Sequence, residues 1–298
     1  MKDSLSTAAL VGLALVVTAL WGFNFVVIVI GVHDVPPLLL ACLRFVLAAF
    51  PALLFVRKPA ISWGMLIAYG LFLGVGQFGL LFTAIKLGAP AGLSSVILQA
   101  QAFFTALLAV AFLGERFRWN NAVGLLIAGA GLVFMGWTKT DAGLASVSWT
   151  GLIMLLLAAL MWAVANILAR KMGPVDTLGL MVWSSLVPPL PLLALSWWLE
   201  GGGAIAASLT HFTWMSAGSV AYLAFLSTLI GYGIWNWLIG KRGASAVAPF
   251  SLLVPVFGVS SAWLVLGEVF TPGHWLSAGL ILAGLAVHVL GGRLRNPA

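Results

Sequence analysis

Leu113-Gly114-Glu115 closes one apolar run, and Leu266-Gly267-Glu268 closes another far downstream. The two tripeptides belong to a set of short echoes that keep the same order along the chain. Gly124-Leu-Leu-Ile-Ala-Gly129 returns as Gly279-Leu-Ile-Leu-Ala-Gly284. Lys86-Leu-Gly88-Ala89-Pro-Ala91 returns as Lys241-Arg-Gly243-Ala244-Ser-Ala246, and Trp21 has a counterpart in Trp162. The members of each pair lie about 140 to 155 residues apart, a constant spacing that marks an internal duplication. A single match carries little weight; order and spacing together decide the architecture.

Composition says what is duplicated. Of 298 residues, 62% are hydrophobic and 7% charged, against roughly 25% charged in soluble domains. Too few charges remain to cover a water-exposed surface, whereas a lipid-facing surface needs none. The net charge of +7 is the ordinary balance of a membrane protein whose Lys and Arg collect in cytoplasmic loops, so no nucleic-acid partner is implied. Fourteen Trp suit the headgroup level, where indole rings settle. Cys42, the one cysteine, lies in an apolar run as a small packing residue, which excludes a disulfide framework. The apolar run from Ala8 to Val32 is too long for the core of a cleaved signal and reads as a first helix.

Charges and Pro/Gly clusters cut the chain into roughly ten spans of bilayer length: 8–31, 37–56, 62–85, 91–113, 120–137, 150–169, 177–198, 213–239, 246–266 and 275–291. Pro188, Pro189 and Pro191 interrupt the seventh, as kinks that membrane helices accommodate. With the N-terminus inside, cytoplasmic segments hold Lys2, Arg57, Lys58, Arg116, Arg118, Arg170, Lys171, Lys241, Arg242, Arg293 and Arg295. The outer loops hold Lys86 and Lys139, and Arg44 lies within the second helix. That bias places both termini in the cytoplasm. An odd helix count per unit forces the second copy to insert upside down, with Glu115 inside and Glu268 outside. The expected fold is an all-α membrane protein of about ten transmembrane helices, in two inverted five-helix repeats over 1–145 and 146–298 around a central cavity. Many secondary transporters use that architecture.

The acidic residues Asp3, Asp34, Glu115, Asp141, Asp176, Glu200 and Glu268 sit at helix ends or in loops, which argues against carboxylate-centred ion coupling. Arg44 is costly inside a helix, by ~3 kcal/mol on insertion scales. It reads either as a carboxylate-binding group or as an anchor bonded to backbone carbonyls, with the weight on the anchor. The amides Asn24, Gln77, Gln99, Gln101, Asn166 and Asn236 fall on corresponding helices of both halves. Buried amides need several hydrogen bonds and avoid lipid, so as a set they suggest a shared polar cavity. Trp21, Phe78, Phe82, Phe103, Trp162, Tyr232 and Trp235 accompany them, and Trp162 shares a helix face with Asn166. Such a lining suits an apolar side chain with a zwitterionic end. Gly70, Gly74, Gly76 and Gly79, with Gly231 and Gly233, permit close helix contact or bending.

The chain lacks a Gly-x4-Gly-Lys-Ser/Thr phosphate loop. His33, His211, His274 and His288 stand apart without metal spacing, and no nucleophile–base pair is evident. No catalytic residue, metal or cofactor is expected. Phosphorylated substrates would want several basic groups, and Arg44 is one.

Trp21-Gly22-Phe23-Asn24-Phe25-Val26, Arg44-Phe45, the Gly88-Ala89-x-Ala91 turn and the paired Leu-Gly-Glu motifs resemble EamA-type carriers of the drug/metabolite transporter superfamily. The resemblance covers nearly the whole chain and is nearest to YddG-type exporters of aromatic and other neutral amino acids. It implies a ten-helix basket, with a cavity lined by helices one, three, four, six, eight and nine. It further implies a monomer in the bacterial inner membrane that exports amino acids or similar small metabolites. Carried over by position, the cavity residues are Asn24, Gln77, Gln99, Gln101, Trp162, Asn166, Tyr232 and Asn236; the accompanying aromatics Phe78 and Trp235 complete the expected lining. The second half departs from the pattern: Trp183-Ser184-Ser185 stands where an equivalent of Arg44 would fall, so Arg44 reads as structural.

Overall fold

Helical segments order the chain among its described residues, and their ends are written in its turn chemistry. A computed structural model describes residues 7–115, 119–137 and 147–290. Among these the chain is helical, without a strand. Lys2, Asp3, Arg116, Arg118, Lys139, Asp141, Arg293, Arg295, both termini and the boundary between 145 and 146 lie outside the described residues.

The first half holds α1 (Thr7–Asp34), α2 (Pro37–Leu54), α3 (Trp63–Lys86), α4 (Ala91–Leu113) and α5 (Trp119–Trp137). The second holds α6 (Trp149–Lys171), α7 (Thr177–Ser184), α8 (Pro189–Leu199), α9 (Gly202–Thr210), α10 (Trp214–Arg242), α11 (Ala248–Leu266) and α12 (Pro272–Leu290). Among the described residues eight helices are long and apolar enough to cross a membrane, or nine if α7 and α8, which meet at a bend of about 40°, form one span. That bend falls at the predicted proline cluster. The apolar stretch Trp119–Met135 of α5 is shorter than these. One element was absent from the sequence reading: α9 occupies a segment read as loop. Its Gly201-Gly202-Gly203 start resembles a breaker, but Gly201 takes φ +88° and turns the chain into a helix too short to span.

Side chains cap several N-termini: Ser62 accepts from the Met65 amide, Ser148 from Gly151, Asp176 from Leu178 and Gly179, and Thr213 from Ser216. Glu200 accepts from the Leu38 amide at 2.8 Å, so the end of α8 caps α2. At the far ends of α4 and α11 the duplicated motif repeats one geometry. Gly114 and Gly267 both take φ +66°, and the amides of Glu115 and Glu268 both reach back 3.3 Å, to the carbonyls of Ala109 and Ala262. A left-handed residue there satisfies carbonyls that the helix end would orphan, and glycine adopts it without a Cβ clash.

The duplication also shows in places the sequence did not flag. α3 and α10 each wind into a π-helix midway, over Leu71–Phe78 and Tyr222–Ile230. α4 and α11 each carry a 3-10 stretch, at Leu98–Ala100 and Ala248–Leu253. Such departures re-aim side chains and gather at functional sites. Within the π segment of α10, Thr228 Oγ1 donates to the Leu223 carbonyl, five residues back, at 2.8 Å.

α1 runs through the middle, packed on α4, α10 and α11. Gly22 of α1 admits the α11 backbone, since a Cβ there would lie 2.7 Å from the Val254 carbonyl, and Gly258 admits the Ser95 side chain of α4. Glycines of α3 behave as packing residues: Gly70 meets Val187, Gly74 meets Pro188 and Gly76 meets Met161. Gly124 and Gly284 bring α5 and α12 into backbone contact. Cys42 is buried, its thiol 3.4 Å from the Pro189 carbonyl, in keeping with a packing role.

Candidate functional site

Three aromatic side chains join α1 to α10. The ring of Trp21 lies 5.2 Å from Tyr232 and 5.1 Å from Trp235. Trp21 Nε1 donates to the Ser227 carbonyl at 3.0 Å. Gly231 leaves room for that indole, because a Cβ there would lie 2.7 Å from Trp21 Nε1. Nearby, the Tyr222 hydroxyl donates to the Leu20 carbonyl at 2.8 Å. Tyr232 is partly buried. Phe78, Trp162 and Tyr232 all pack against the cluster containing Tyr69, Leu73 and Ala165.

Arg44 reaches this region from α2 and is 2% exposed. Among the described residues it bonds no backbone carbonyl, contrary to the anchor reading: Nη2 donates to the Thr228 hydroxyl at 2.8 Å. Thr228 accepts there while donating into its own π-helical turn. The guanidinium carbon lies 4.0 Å from the Phe78 centroid, 5.0 Å from Phe45 and 5.9 Å from Phe82. Phenyl faces attract a desolvated cation by ~2 kcal/mol. Burial without a carboxylate partner opposes this by several kcal/mol, so the aromatic cage offsets the cost only in part. Among the described residues no carboxylate pairs with Arg44; the titratable neighbour is the Tyr232 phenol.

The sequence-predicted amides divide into two kinds. Asn166 Nδ2 donates to Gln101 Oε1 at 2.9 Å and to Thr105 Oγ1 at 3.1 Å, tying α6 to α4. Gln99 Nε2 makes a long 3.5 Å contact to the Ser251 carbonyl of α11. By contrast, Asn24 Oδ1, Gln77 Oε1 and Asn236 Nδ2 are buried without a partner, as are Arg44 Nε and Nη1. Each such group forfeits ~1–3 kcal/mol, so an unpartnered set inside a bundle is worth its cost only where something else comes to bond it.

Phe103, one of the aromatics expected here, lies elsewhere, edge-on to His288 at 5.1 Å among Ala128 and Leu285. Its helix turns that face toward α5 and α12. Tyr69, Ser227 and Thr228 were not singled out from the sequence. A usable signal existed for the tyrosine: the chain has 3 Tyr against 18 Phe, and all three phenols sit in or beside this cluster. Among the described residues no group of His, Cys, Asp and Glu is arranged to hold a metal.

Two ends of the bundle frame the site. At one, Glu268 accepts from the amides of Ala91 at 2.6 Å and Gly92 at 3.0 Å, at the start of α4. Burial pushes this carboxyl up, against the two amides that hold it down. Lys86 Nζ donates there to the Val32 carbonyl of α1. At the other end Glu115 pairs with Arg170 at 2.8 Å, both half exposed, and Lys241 lies over Trp237 at 5.9 Å.

Known proteins resemble this chain over nearly its whole length. The sequence profile of the EamA-like transporter family matches residues 9–137 and again 149–290. A protein of Salmonella typhimurium named "Probable amino-acid metabolite efflux pump" is 44% identical over 96% of each chain. Its namesake in Escherichia coli is 42% identical, over 95% of this chain and 96% of that one. A "Probable terminal-alkyne amino-acid exporter" of Streptantibioticus cattleyicolor is 26% identical over 91% of each. A solved crystal structure at 21% identity superposes over 98% of this chain and 100% of that one, with a TM-score of 0.60, a likeness of fold. The chain belongs to the EamA-like transporter family.

Proposed function

We propose that the chain is a secondary transporter of the bacterial inner membrane that exports aromatic and other neutral amino acids by alternating access, without ATP. The observations that carry this reading are the buried, unpartnered polar atoms of Asn24, Arg44, Gln77 and Asn236, together with the Trp21–Tyr232–Trp235 ring cluster. Asn24 Oδ1 and Gln77 Oε1 offer acceptors suited to an ammonium group. Arg44 and Asn236 offer donors, and the rings offer an apolar wall for a side chain. The names of the relatives support amino-acid-like cargo.

In this proposal the helices make ten crossings, with α5 the fifth and the bent α7–α8 pair the seventh. They form two inverted units, 1–145 and 146–298, with both termini cytoplasmic and the chain working as a monomer. Substrate enters from the cytoplasm, because the opposite end is the one held by Glu268 and Lys86. Release follows when that end parts and the Glu115 end closes.

Purified protein in liposomes, loaded with radiolabelled L-phenylalanine or L-leucine, tests the reading. Saturable movement and counterflow of these neutral amino acids are expected without ATP. Absence of counterflow for every neutral amino acid overturns the substrate assignment.

A further inference from the structure

We propose that Arg44 is the group that recognises the substrate carboxylate, so that cargo must carry a free carboxylate beside its apolar part. This inference rests on the transport reading above and narrows it to one chemical feature.

A buried guanidinium in a membrane bundle is ordinarily matched by an acid, by backbone carbonyls or by water at the surface. Arg44 has none of these among its described contacts. It is 2% exposed, it bonds one hydroxyl, and two of its nitrogens, Nε and Nη1, have no partner. What surrounds it instead is a cage of phenyl rings. Rings hold a cation in place and leave its in-plane N–H groups pointing outward, which is the geometry that receives a planar carboxylate.

Its position favours a mobile partner over a fixed one. Thr228, which bonds Nη2, sits in the π-helical stretch of α10, and Phe78, which stacks on the guanidinium, closes the π-helical stretch of α3. Arg44 therefore bridges the irregular segments of both halves. Phe78 and Tyr232 pack against the same buried cluster, and the Tyr232 ring meets Trp21 at a tilt, 5.2 Å away. An apolar side chain resting on those rings brings its carboxylate toward the cation.

The second half has Trp183-Ser184-Ser185 at the corresponding place. There Ser184 and Ser185 donate to the Met181 carbonyl of their own helix, and Trp183 donates to the Val56 carbonyl. The carrier thus has one carboxylate receptor, not a symmetric pair.

Transport and binding of an acid and its uncharged amide provide the test, with full-length protein throughout. In wild-type proteoliposomes L-phenylalanine is expected to move and to compete with itself, while L-phenylalaninamide does neither. L-Phenylalanine, and not the amide, is expected to raise the Tm of the detergent-solubilised wild type. Arg44→Gln should lower L-phenylalanine transport by ~30-fold or more, the range for removing one partner of a buried charged bond, and Arg44→Lys should retain part of it. A purely structural Arg44 predicts a lower Tm in Arg44→Gln with no acid-over-amide preference in wild type. Equal handling of acid and amide by wild type overturns the proposal while leaving transport intact. Failure of wild type to move any neutral amino acid overturns the transport reading, and this proposal with it.

Discussion

α4 and α11 are copies of one helix in two surroundings. Each carries a 3-10 stretch and ends in Leu-Gly-Glu, with the same glycine φ of +66° and the same 3.3 Å return bond. Yet Leu98, Gln99 and Ala100 are all buried in α4, while no residue of Ala248–Leu253 is buried in α11. The carboxylates differ in the same sense: Glu268 is held by the start of α4, whereas Glu115 pairs with Arg170 in the open. Lys86 clamps the end of α1, and its counterpart Lys241 lies against Trp237 of its own helix. Like sequence with like backbone but unlike engagement means that the two copies stand in different surroundings: Glu268 accepts from a helix start, and Glu115 from an exposed arginine. Under the transport proposal, two inverted copies would exchange these surroundings in each cycle.

The strongest way to break the comparison is at the crossing of α1, α4 and α11. Gly258→Leu drives a side chain into Ser95 and should cost about 1–3 kcal/mol, read as a fall in Tm in detergent. An unchanged Tm would show that this end is not closely packed. Next in size, Gly114→Ala and Gly267→Ala each force alanine into φ +66°, at about 1–2 kcal/mol. Because the backbone geometry is shared, the two losses should agree; a large disparity would refute the equivalence of the caps.

Glu268→Ala removes the acceptor of two amides and should cost about 1 kcal/mol. Hydrogen exchange at Ala91 and Gly92 should quicken, and the protein should favour the arrangement in which that end is apart. Unaltered exchange would mean that the contact holds nothing. The smallest effect belongs to Glu115→Ala, within ~0.5 kcal/mol, since an exposed pair contributes little. A loss as large as that of Glu268→Ala would show that both ends are engaged together.

Much of the architecture was legible because its causes are local. Apolar runs of bilayer length, interrupted by Pro188 or by Lys-Gly turns, declare helices whatever their neighbours do, and short echoes at fixed spacing declare a duplication. α9 escaped because Gly201-Gly202-Gly203 looks like a break when its φ is unknown. The site was legible only in outline. Gln101 and Asn166 carry the same chemistry as Asn24 and Gln77, yet the former pair satisfies itself and the latter two keep free acceptors. Residue type states what an amide can bond, while only packing states whether a partner is already there.

Arg44 shows the same division. Its position inside an apolar helix, and its absence from the second copy, are facts of sequence. That it is caged by phenyl rings, bonded to one hydroxyl and denied a carboxylate depends on α2, α3 and α10 meeting at one point. The Leu-Gly-Glu copies go further. Sequence alone settles that there are two and that glycine must end each helix, because a left-handed turn excludes most side chains. Which glutamate holds a neighbouring helix start belongs to the tertiary structure, since packing sets the two copies in different surroundings.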